Sequence, residues 1–288
     1  MFLLGDLGGT RIRLGFSPDG RIIENPVICD SPDDFDEAVQ LIKEQARIIS
    51  KARPIRAACF GVAATFNKSL STIIHSAHNP LWNNKDIKIE LEKAINCPTL
   101  FENDTSIVGL GEAITGPGIG KEIVVYITVS TGVGGTRIIN GKIDKKANSF
   151  EIGHQIIDLN GLPCPSCQTA GHLEAYIAGS GLLKKYGMKA EQITDPKVWG
   201  EVAKYLAIGI HNTVLHWSPD IVVLGGSVMK QISLDNVKAE LYKRLTIVPV
   251  PEIGLAKSDD MGGLYGALEY LKQQPYALSN MPATGSGS

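Results

Sequence analysis

The sequence predicts an α/β protein built from two related α/β halves around a central cleft. Apolar runs of strand length alternate with segments whose apolar residues recur at helical spacing. Two stretches, MFLLGDLGGTRIRLGF at residues 1–16 and IVVYITVSTGVGGTRIING at residues 123–141, repeat one order: an apolar strand, a glycine-rich turn and a second strand. Such a repeat indicates two halves that each open with a hairpin and present its turn to a shared cleft.

The other elements are predicted from the same patterns, taken along the chain. After the first hairpin, apolar residues at helical spacing predict a helix over residues 35–51, and IRAACFGVA predicts a buried strand. CPTLFEN predicts a strand that leads into a helix beginning near Asp104. Beyond the second hairpin we expect a helix over residues 198–218, a strand at IVVLGGSVM and a last helix at GGLYGALEYL.

A glycine-rich and proline-containing stretch, TGPGIGK at residues 115–121, marks the expected domain boundary. We therefore predict a smaller N-terminal α/β domain over residues 1–114 and a larger C-terminal α/β domain over residues 115–274. The final helix of the larger domain is expected to be able to pack back on the N-terminal domain. Residues 275–288 are small and polar, which is typical of a flexible tail.

Composition narrows the class of protein. The 288 residues carry a formal net charge of −2 and a sequence pI of about 6.3, so no broad basic surface favours a nucleic-acid partner. No apolar run approaches the roughly 20 residues of a membrane-spanning helix, and no secretory signal follows Met1. The five cysteines suit a reducing compartment, so we expect a cytoplasmic protein without a membrane partner.

Three glycine-rich turns carry the first chemical argument. Where the Cβ atom is missing, backbone N–H groups can approach phosphate oxygens closely, and neighbouring threonine hydroxyls add hydrogen bonds. Each turn taken alone is more often an ordinary tight turn, but their joint order favours a nucleotide site. The candidate nucleotide-binding residues are Gly8, Gly9, Thr10, Thr131, Gly132, Gly134, Gly225 and Gly226.

Six motifs in order resemble the ROK family of sugar kinases, within the actin, Hsp70 and hexokinase superfamily. They are GDLGGT at 5–10, NDTSIVGLGE at 103–112, STGVGGT at 130–136, EIGH at 151–154, GHLEAY at 171–176 and VLGGS at 223–227. DLGGT alone is a weak signal, whereas six motifs in family order are strong. The resemblance implies two domains of the actin-like ATPase (ribonuclease H-like) fold, an ATP-dependent kinase that closes over a hexose, and a homodimer.

Asp104 is the predicted catalytic residue. Phosphoryl transfer to a sugar hydroxyl needs a carboxylate that orients the hydroxyl and accepts its proton. By its residue type alone Asp104 could equally be the N-cap of the following helix, and the family position favours catalysis. The resemblance also implies that Asp6 helps to hold hydrated Mg²⁺ near the transferring phosphate, against a plain Asx-turn role.

Polar residues on both sides of Asp104 in the sequence form the predicted sugar site. Amide, carboxylate and imidazole groups are well suited to read the hydroxyls of a pyranose ring. Each residue could instead be a turn residue, a solvated surface group or a satisfied buried side chain. Together with Asp104, the resemblance implies sugar-binding roles for Asn79, Asn103, Glu151, His154 and Glu174.

The sequence departs from the family in its cysteine loop. Many relatives hold a structural zinc with one His and three Cys, in the order Cys-x-Cys-Gly-x-x-Gly-Cys-x-Glu. Here one extra residue separates Cys164 from Cys167, and His172 replaces the last thiolate. Two thiolates and two imidazoles, with His154 as the fourth ligand, still offer tetrahedral zinc chemistry. The alternative is a loop of reduced thiols without a metal.

The predicted function is transfer of the γ-phosphate of ATP to a hexose hydroxyl, with the 6-OH of glucose as the first choice because GHLEAY resembles glucokinase-like members. Kinases for N-acetylmannosamine, fructose, mannose or allose would use similar contacts. The alternatives from other classes are a ROK-type DNA-binding repressor and a sugar sensor without catalysis. Asp6 comes too early for a helix-turn-helix module to precede it, which disfavours the repressor.

Overall fold

The computed structural model describes residues 1–76, 79–258 and 261–274, so the predicted tail at 275–288 lies outside the described residues. Contacts divide the chain into two compact units. Within the described residues, unit 1 comprises residues 1–115 and 147–149 together with residue 258 and residues 261–274. Unit 2 comprises residues 116–146 and 150–257. The last helix therefore belongs to the same unit as the N-terminal strands.

Twelve strands and eight α-helices form within the described residues. The strands are β1 Phe2–Leu7, β2 Arg11–Ser17, β3 Glu24–Asp30, β4 Ala57–Val62, β5 Thr65–Phe66, β6 Ile73–His75, β7 Thr99–Asn103, β8 Ile123–Val129, β9 Val133–Ile139, β10 Lys142–Ile143, β11 Ile221–Gly225 and β12 Glu252–Leu255. The helices are α1 Phe35–Ile49, α2 Ile87–Ile95, α3 Asp104–Thr115, α4 Glu174–Ile177, α5 Gly179–Tyr186, α6 Pro196–Trp217, α7 Leu234–Arg244 and α8 Gly262–Lys272. Short 3-10 turns lie at Pro80–Trp82, Ile152–His154, Ala190–Gln192 and Val228–Gln231.

The two units contain the same five-stranded sheet. In unit 1 the strand order is β3-β2-β1-β4-β7, with an antiparallel β1-β2-β3 meander and with β4 and β7 parallel to β1. In unit 2 the order is β10-β9-β8-β11-β12, with the same meander and the same two parallel strands. The predicted pair of related α/β halves is confirmed.

Alternation of side chains along the strands gives the sheet of unit 1 two buried faces. Leu3 and Phe60 belong to a core formed with α1 and α2, whereas Phe2 and Leu4 belong to a core formed with α3 and α8. Strands with both faces covered read as continuous apolar runs, which is why FLLGDL and AACFGV are visible in the sequence. In unit 2, α6 packs its apolar stripe, including Leu206 and Ile210, into the core of the second sheet.

Four elements of unit 1, the strands β3, β5 and β6 and the helix α2, have no counterpart in the sequence prediction. β3 has the sequence ENPVICD, in which a proline and alternate exposed residues weaken the strand pattern, as suits an edge strand. α2 spans only nine residues and begins at the Asp86 cap.

In unit 2, the helix predicted at 198–218 spans Pro196–Trp217. It begins two residues earlier than predicted, because Asp195 caps it and proline is favoured at the first helical position.

Glycines bring α3 and α8 into backbone contact. A Cβ atom on Gly111 would lie 2.6 Å from the carbonyl oxygen of Gly262, and one on Gly266 would overlap the carbonyl oxygen of Ile107. Side chains larger than hydrogen would therefore push the two helices apart. This contact fixes the helix that begins at Asp104 against the first helical turns of α8.

Gly266→Ala is expected to destabilise the protein by about 3 kcal/mol, at the upper end for overpacking, because the added methyl meets backbone that cannot rotate away. Gly200→Ala is the matched control: Gly200 is exposed in α6, and an added Cβ meets nothing within 4 Å. Alanine is the better helix former, so that change should stabilise the protein by about 0.5–1 kcal/mol. Thermal denaturation checks both, and a neutral Gly266→Ala would contradict the close helix contact.

Candidate active site

The first candidate phosphate loop is the turn of the β1-β2 hairpin. The last ladder pair is Leu7 with Ile12, so residues 8–11 form the turn. The Gly8 N–H donates to the carbonyl of Arg11 at 3.0 Å, and a Cβ on Gly8 would lie 3.0 Å from that same oxygen. The backbone at Gly8 is thus tightly turned with its own N–H already bonded, and phosphate binding by this turn stays a prediction. Gly9 and Thr10 lie in the same turn.

Asp6 lies one residue before the end of β1 and is paired with a residue that the sequence analysis did not single out. Asp6 and Arg13 are direct partners across the β1-β2 ladder, and Arg13 Nη1 lies 3.3 Å from Asp6 Oδ2. Both side chains are largely buried, at 14% and 20% exposure. The sequence alone does not show this pair, because the register that places Asp6 opposite Arg13 depends on the length of the turn.

The second candidate loop is shorter than its sequence repeat suggests. Val129 pairs with Val133, so the turn consists only of residues 130–132 and contains Thr131 and Gly132. Gly134 lies inside β9, opposite Thr128, and not in the turn. The prediction that Gly134 belongs to a phosphate-binding turn is corrected accordingly: the repeated GGT letters fall in the turn of the first hairpin and in a strand of the second.

The glycine pair at the end of β11 lies beside this second turn. Gly225 pairs with Thr128, and Gly226 has a φ of +97° with its Cα against the carbonyl oxygen of Val129, where a Cβ would overlap. The Ser227 N–H also points at Ser130 Oγ, at 3.5 Å. Unit 2 therefore brings two of the predicted glycine motifs together.

Helix α5 also begins at the second turn. The Gly179 N–H donates to the carbonyl of Ser130 at 2.8 Å, and the Ser180 N–H donates to that of Thr131 at 3.0 Å. These two N–H groups belong to the first turn of the helix, where no intrahelical acceptor exists. They fix the position of Thr131 relative to the helix.

Asn103 and Asp104 lie where β7 passes directly into α3. The Asn103 side-chain oxygen accepts from the Ser106 N–H at 3.2 Å, which is the hydrogen bond of an N-cap, and its amide donates to the carbonyl of Ala64 at 3.4 Å. Asp104 Oδ1 accepts from the Thr105 N–H at 2.7 Å and from the Thr105 hydroxyl at 3.5 Å, neither of which is the N-cap hydrogen bond. Asn103 is therefore the N-cap of α3. The alternative that Asp104 serves as the N-cap does not hold.

Asn79 is buried, with 3% exposure, just before the 3-10 turn at Pro80–Trp82. Its amide donates to Ser31 Oγ at 3.2 Å, and the Ser31 N–H donates to the carbonyl of Thr10 at 3.0 Å. Unit 1 thus links a predicted sugar residue to the first candidate phosphate loop through a single serine.

The predicted zinc ligands form one cluster in unit 2. The Nδ1 atoms of His154 and His172 are 3.0 Å apart, and Cys167 Sγ lies 3.8 and 3.3 Å from them. Cys164 Sγ lies 3.9 Å from His154 Nδ1, and all four ligand atoms lie within 4.8 Å of one another. A tetrahedral zinc with bonds of about 2.0–2.3 Å separates its ligands by roughly 3.3–3.8 Å. The donor set suits zinc, and its separations, from 3.0 Å to at most 4.8 Å, span this tetrahedral spacing.

The pKa values of three cluster residues are shifted, and not all in the same direction. Burial raises the pKa of the Cys164 thiol above its ordinary value. Desolvation is the largest single influence on the Cys167 thiol and would raise its pKa, but hydrogen bonds with Thr169 and Cys164 together outweigh it, so the pKa is lowered. Desolvation, followed by the neighbouring His154, lowers the pKa of His172. A lowered pKa favours the neutral imidazole of His172, which is the form that binds metal.

The two nitrogens of His154 face different partners. Nδ1 faces the cluster, whereas Nε2 lies 3.9 Å from Glu151 Oε2. Glu151 is half-exposed, with 51% side-chain exposure, so its carboxylate reaches solvent. This arrangement allows one imidazole to bind a metal at one nitrogen and to donate a hydrogen bond at the other.

Glu174 is buried and joins the cysteine loop to the second turn. One carboxylate oxygen accepts from the Val133 N–H at 3.1 Å. The other accepts from Ser166 Oγ at 2.6 Å and from the Cys164 thiol at 3.4 Å. A Cβ on Gly132 would come within 2.8 Å of the carboxylate. Glu174 therefore has a supporting role that the sequence analysis did not foresee.

A cavity of about 330 Å³ borders Glu151 in unit 2. Gln155 and Asn212 are hydrogen-bonded to each other at 2.9 Å in its wall. Its other lining residues are Ile152, Ile156, Thr213, His216 and Trp217. The sequence analysis did not predict this cavity, because its walls come from two segments about 60 residues apart.

No helix in the described ranges has the length and apolarity that a membrane span requires.

The ROK family profile matches residues 5–274. The chain belongs to the ROK family. Its fold is that of the actin-like ATPases: the ROK hexokinase from Thermus thermophilus superposes with a TM-score of 0.83 at 27% identity, covering 94% of this chain and 98% of that one. This ROK protein is also 28% identical over 295 residues to an N-acetyl-D-glucosamine kinase from Escherichia coli, covering 91% of this chain and 96% of that kinase. A xylose repressor from Bacillus subtilis is 26% identical over 185 residues, which is 58% of this chain and 48% of the repressor.

Proposed function

We propose that this ROK protein is an ATP-dependent sugar kinase that transfers the γ-phosphate to a hexose hydroxyl. Family membership supports the proposal, as does similarity over almost the whole chain to a hexokinase and to an N-acetyl-D-glucosamine kinase. Glucose, phosphorylated at its 6-OH, remains our first candidate because of the GHLEAY motif at 171–176. N-acetylglucosamine is the second, because of the named relative.

The observation that carries the proposal is that Asn103, and not Asp104, makes the N-cap hydrogen bond of α3. Asn103 caps the helix through its hydrogen bond with the Ser106 N–H, so the carboxylate of Asp104 is not required for capping. An aspartate on the first turn of a helix is held rigidly by the backbone, as a catalytic base must be. In the proposed reaction Asp104 orients the attacking sugar hydroxyl and accepts its proton.

The sugar contacts proposed in unit 2 are those of Glu151, His154 and Glu174. His154 Nε2 and the Glu151 carboxylate lie on the same side, 3.9 Å apart, and offer a donor and an acceptor to neighbouring hydroxyls. Glu174 already accepts three hydrogen bonds from protein groups. We therefore propose that it orients the second turn as well as any hydroxyl that reaches it. In unit 1, Asn79 and Asn103 are the residues proposed to contact sugar.

The turn at residues 8–11 and the glycine pair at the end of β11 are each proposed to contact nucleotide. At Gly8 and Gly226 a Cβ would meet a carbonyl oxygen, so both tight turns require glycine, and glycine turns can present backbone N–H groups to phosphate. Asp6 offers the oxygen donor that Mg²⁺ prefers, and its pairing with Arg13 suits contact through the water shell of the ion. When bound, Mg²⁺ neutralises charge on the transferring phosphate.

We also propose that His154, Cys164, Cys167 and His172 bind a structural Zn²⁺. Their ligand atoms lie within 4.8 Å of one another, and the lowered pKa of His172 favours the neutral imidazole that coordinates metal. The metal would join the 3-10 turn that carries His154 to the cysteine loop. Because Glu151 lies on the same turn, zinc would fix the orientation of the proposed sugar contacts.

The test is a coupled assay of ADP release with ATP, Mg²⁺ and a panel of hexoses and N-acetylhexosamines. We expect release to depend on a sugar and to be much the fastest with one or a few of the panel. ADP release that is independent of sugar would contradict the proposal. Sugar binding by calorimetry without any turnover would instead favour a regulator, the function of the related xylose repressor.

A further inference from the structure

Glu174, one of the proposed sugar contacts, is a buried carboxylate whose acceptor positions are almost all occupied. Its exposure is 6%. Oε2 accepts from the Val133 N–H at 3.1 Å, whereas Oε1 accepts from Ser166 Oγ at 2.6 Å and from the Cys164 thiol at 3.4 Å. A carboxylate has about four lone-pair positions, two on each oxygen. Oε1 is therefore filled, and Oε2 keeps one acceptor position.

Ser166 makes the shorter of the two contacts with Oε1. Its 2.6 Å separation is that of a charge-assisted hydrogen bond from a hydroxyl to a carboxylate, which is among the stronger kinds. Ser166 Oγ also lies 3.2 Å from Cys164 Sγ, but a hydroxyl has a single proton, and the shorter contact takes it. Ser166 is an exposed residue, so replacing it leaves the hydrophobic core of unit 2 unchanged.

In the zinc-bound protein proposed above, the contact from Cys164 would lose its donor. Zinc binds cysteine as the thiolate, so Cys164 as a ligand has no proton to give to Glu174. The donors that remain are the Ser166 hydroxyl on Oε1 and the Val133 N–H on Oε2. One donor at each end fixes the plane of the carboxylate, so the remaining acceptor position on Oε2 has a fixed direction.

Gly132 leaves space beside that oxygen. It is the last residue of the second turn, and a Cβ at this position would lie 2.8 Å from Glu174 Oε2. Without the Cβ, Oε2 is open to a further donor. In a sugar kinase that donor is a hydroxyl of the sugar, and a single acceptor position takes a single hydroxyl.

We propose that Ser166 is a positioning residue that orients Glu174, so that Glu174 Oε2 accepts a hydrogen bond from one hydroxyl of the sugar. The inference rests on the proposed function, because it takes a sugar as the donor. Ser166 acts through Glu174 and makes no contact of its own with the sugar. The serine lies between Cys164 and Cys167, where this chain has one residue more than the family pattern.

The experiment compares sugar affinity and turnover in variants of the full chain at saturating ATP and Mg²⁺. The sugar is the best bound of glucose, mannose, fructose, allose, N-acetylglucosamine and N-acetylmannosamine. Ser166→Ala is expected to raise the KM and the calorimetric Kd for this sugar about fivefold to tenfold, because the carboxylate is then fixed at one end only. The kcat should stay within about twofold, since the lost interaction serves binding. Ser166→Thr keeps the hydroxyl and should stay within about twofold of the wild type in both.

Thr194→Ala is the matched control, because Thr194 is an exposed hydroxyl residue of the same unit. It should change neither KM nor kcat. The zinc content and thermal midpoint of Ser166→Ala should equal those of the wild type, since Ser166 is exposed and is not among the four proposed ligands. A loss of zinc that accompanies the weaker sugar binding would overturn the inference, because the role of Ser166 would then lie in the metal site.

Sugars that lack one hydroxyl separate an action through Glu174 from a general loosening of the loop. With the one monodeoxy analogue that lacks the hydroxyl bound by Glu174, Ser166→Ala should change Kd by less than about twofold, and with the others by the full amount. In the Glu174→Gln background its effect should also fall below about twofold, because an amide cannot accept at both ends. The same loss with every analogue, or no loss with the parent sugar, would overturn the inference.

The wild-type measurements distinguish the two proposals. Phosphorylation of a sugar by the wild type, with Ser166→Ala unaffected, would overturn the inference and leave the proposed kinase function intact. Sugar binding without phosphorylation would contradict the kinase function, while the calorimetric comparison still decides the role of Ser166. Binding of none of the six sugars would count against both.

Discussion

Asp104→Asn is expected to lower kcat by about 10²–10⁴-fold while sugar affinity stays within a few-fold of the wild type. Asparagine keeps the shape and the hydrogen-bonding reach of aspartate but cannot accept the proton of the sugar hydroxyl. The fold should be unaffected, because Asn103 and not Asp104 provides the cap of α3. Steady-state kinetics at saturating ATP, Mg²⁺ and sugar, together with calorimetric sugar binding, measure both effects.

Asp86→Asn supplies the matched control for this variant. Asp86 caps α2 in the same unit, where its Oδ1 accepts from the Ile89 N–H at 3.0 Å. Asparagine caps helices about as well as aspartate, so this variant should keep both its stability and its kcat. If Asp104→Asn behaved like Asp86→Asn, with near-normal turnover, Asp104 would return to a structural role.

Loss of the cysteine cluster should have the second large effect. Protein purified without added metal is expected to contain about one zinc per chain, and Cys167→Ser should contain close to none. Structural zinc contributes many kcal/mol to small domains, and we expect the variant to lose several of these, lowering the thermal midpoint by about 10 °C. Elemental analysis and thermal denaturation measure the two quantities.

Cys29→Ser is the control for Cys167→Ser, because Cys29 is a half-buried free thiol on β3, in the other unit. It should change neither zinc content nor thermal stability by much. Wild-type protein without zinc, or Cys167→Ser with full zinc content, would contradict the metal proposal. The four residues would then be a loop of reduced thiols and histidines.

The strands were predictable from the sequence wherever both faces of a sheet are covered. FLLGDL and AACFGV are almost entirely apolar because helices pack on each side of the first sheet. The edge strand β3 and the short helix α2 carry no comparable pattern, because only part of each is buried. Burial, more than intrinsic propensity, decided which elements could be recognised.

The candidate site was predictable in its residues and less so in their arrangement. The letters GGT occur in both hairpins, but a shorter second turn moves Gly134 into a strand, and turn length cannot be read from residue type. Asn103 and Asp104 are neighbours with similar capping preference, so only hydrogen bonds could assign the cap to Asn103. The Asp6–Arg13 pair depends on a ladder register that follows from the same turn length.

The most direct test of the kinase assignment is formation of a sugar phosphate, detected by mass spectrometry, by wild type and Asp104→Asn in parallel. Each protein is incubated with ATP, Mg²⁺ and, in turn, glucose, mannose, fructose, allose, N-acetylglucosamine or N-acetylmannosamine. We predict that the wild type phosphorylates at least one of these sugars at a rate about 10² or more above that of Asp104→Asn. Wild-type protein that binds ATP and a sugar yet forms no sugar phosphate from any of them would contradict the assignment.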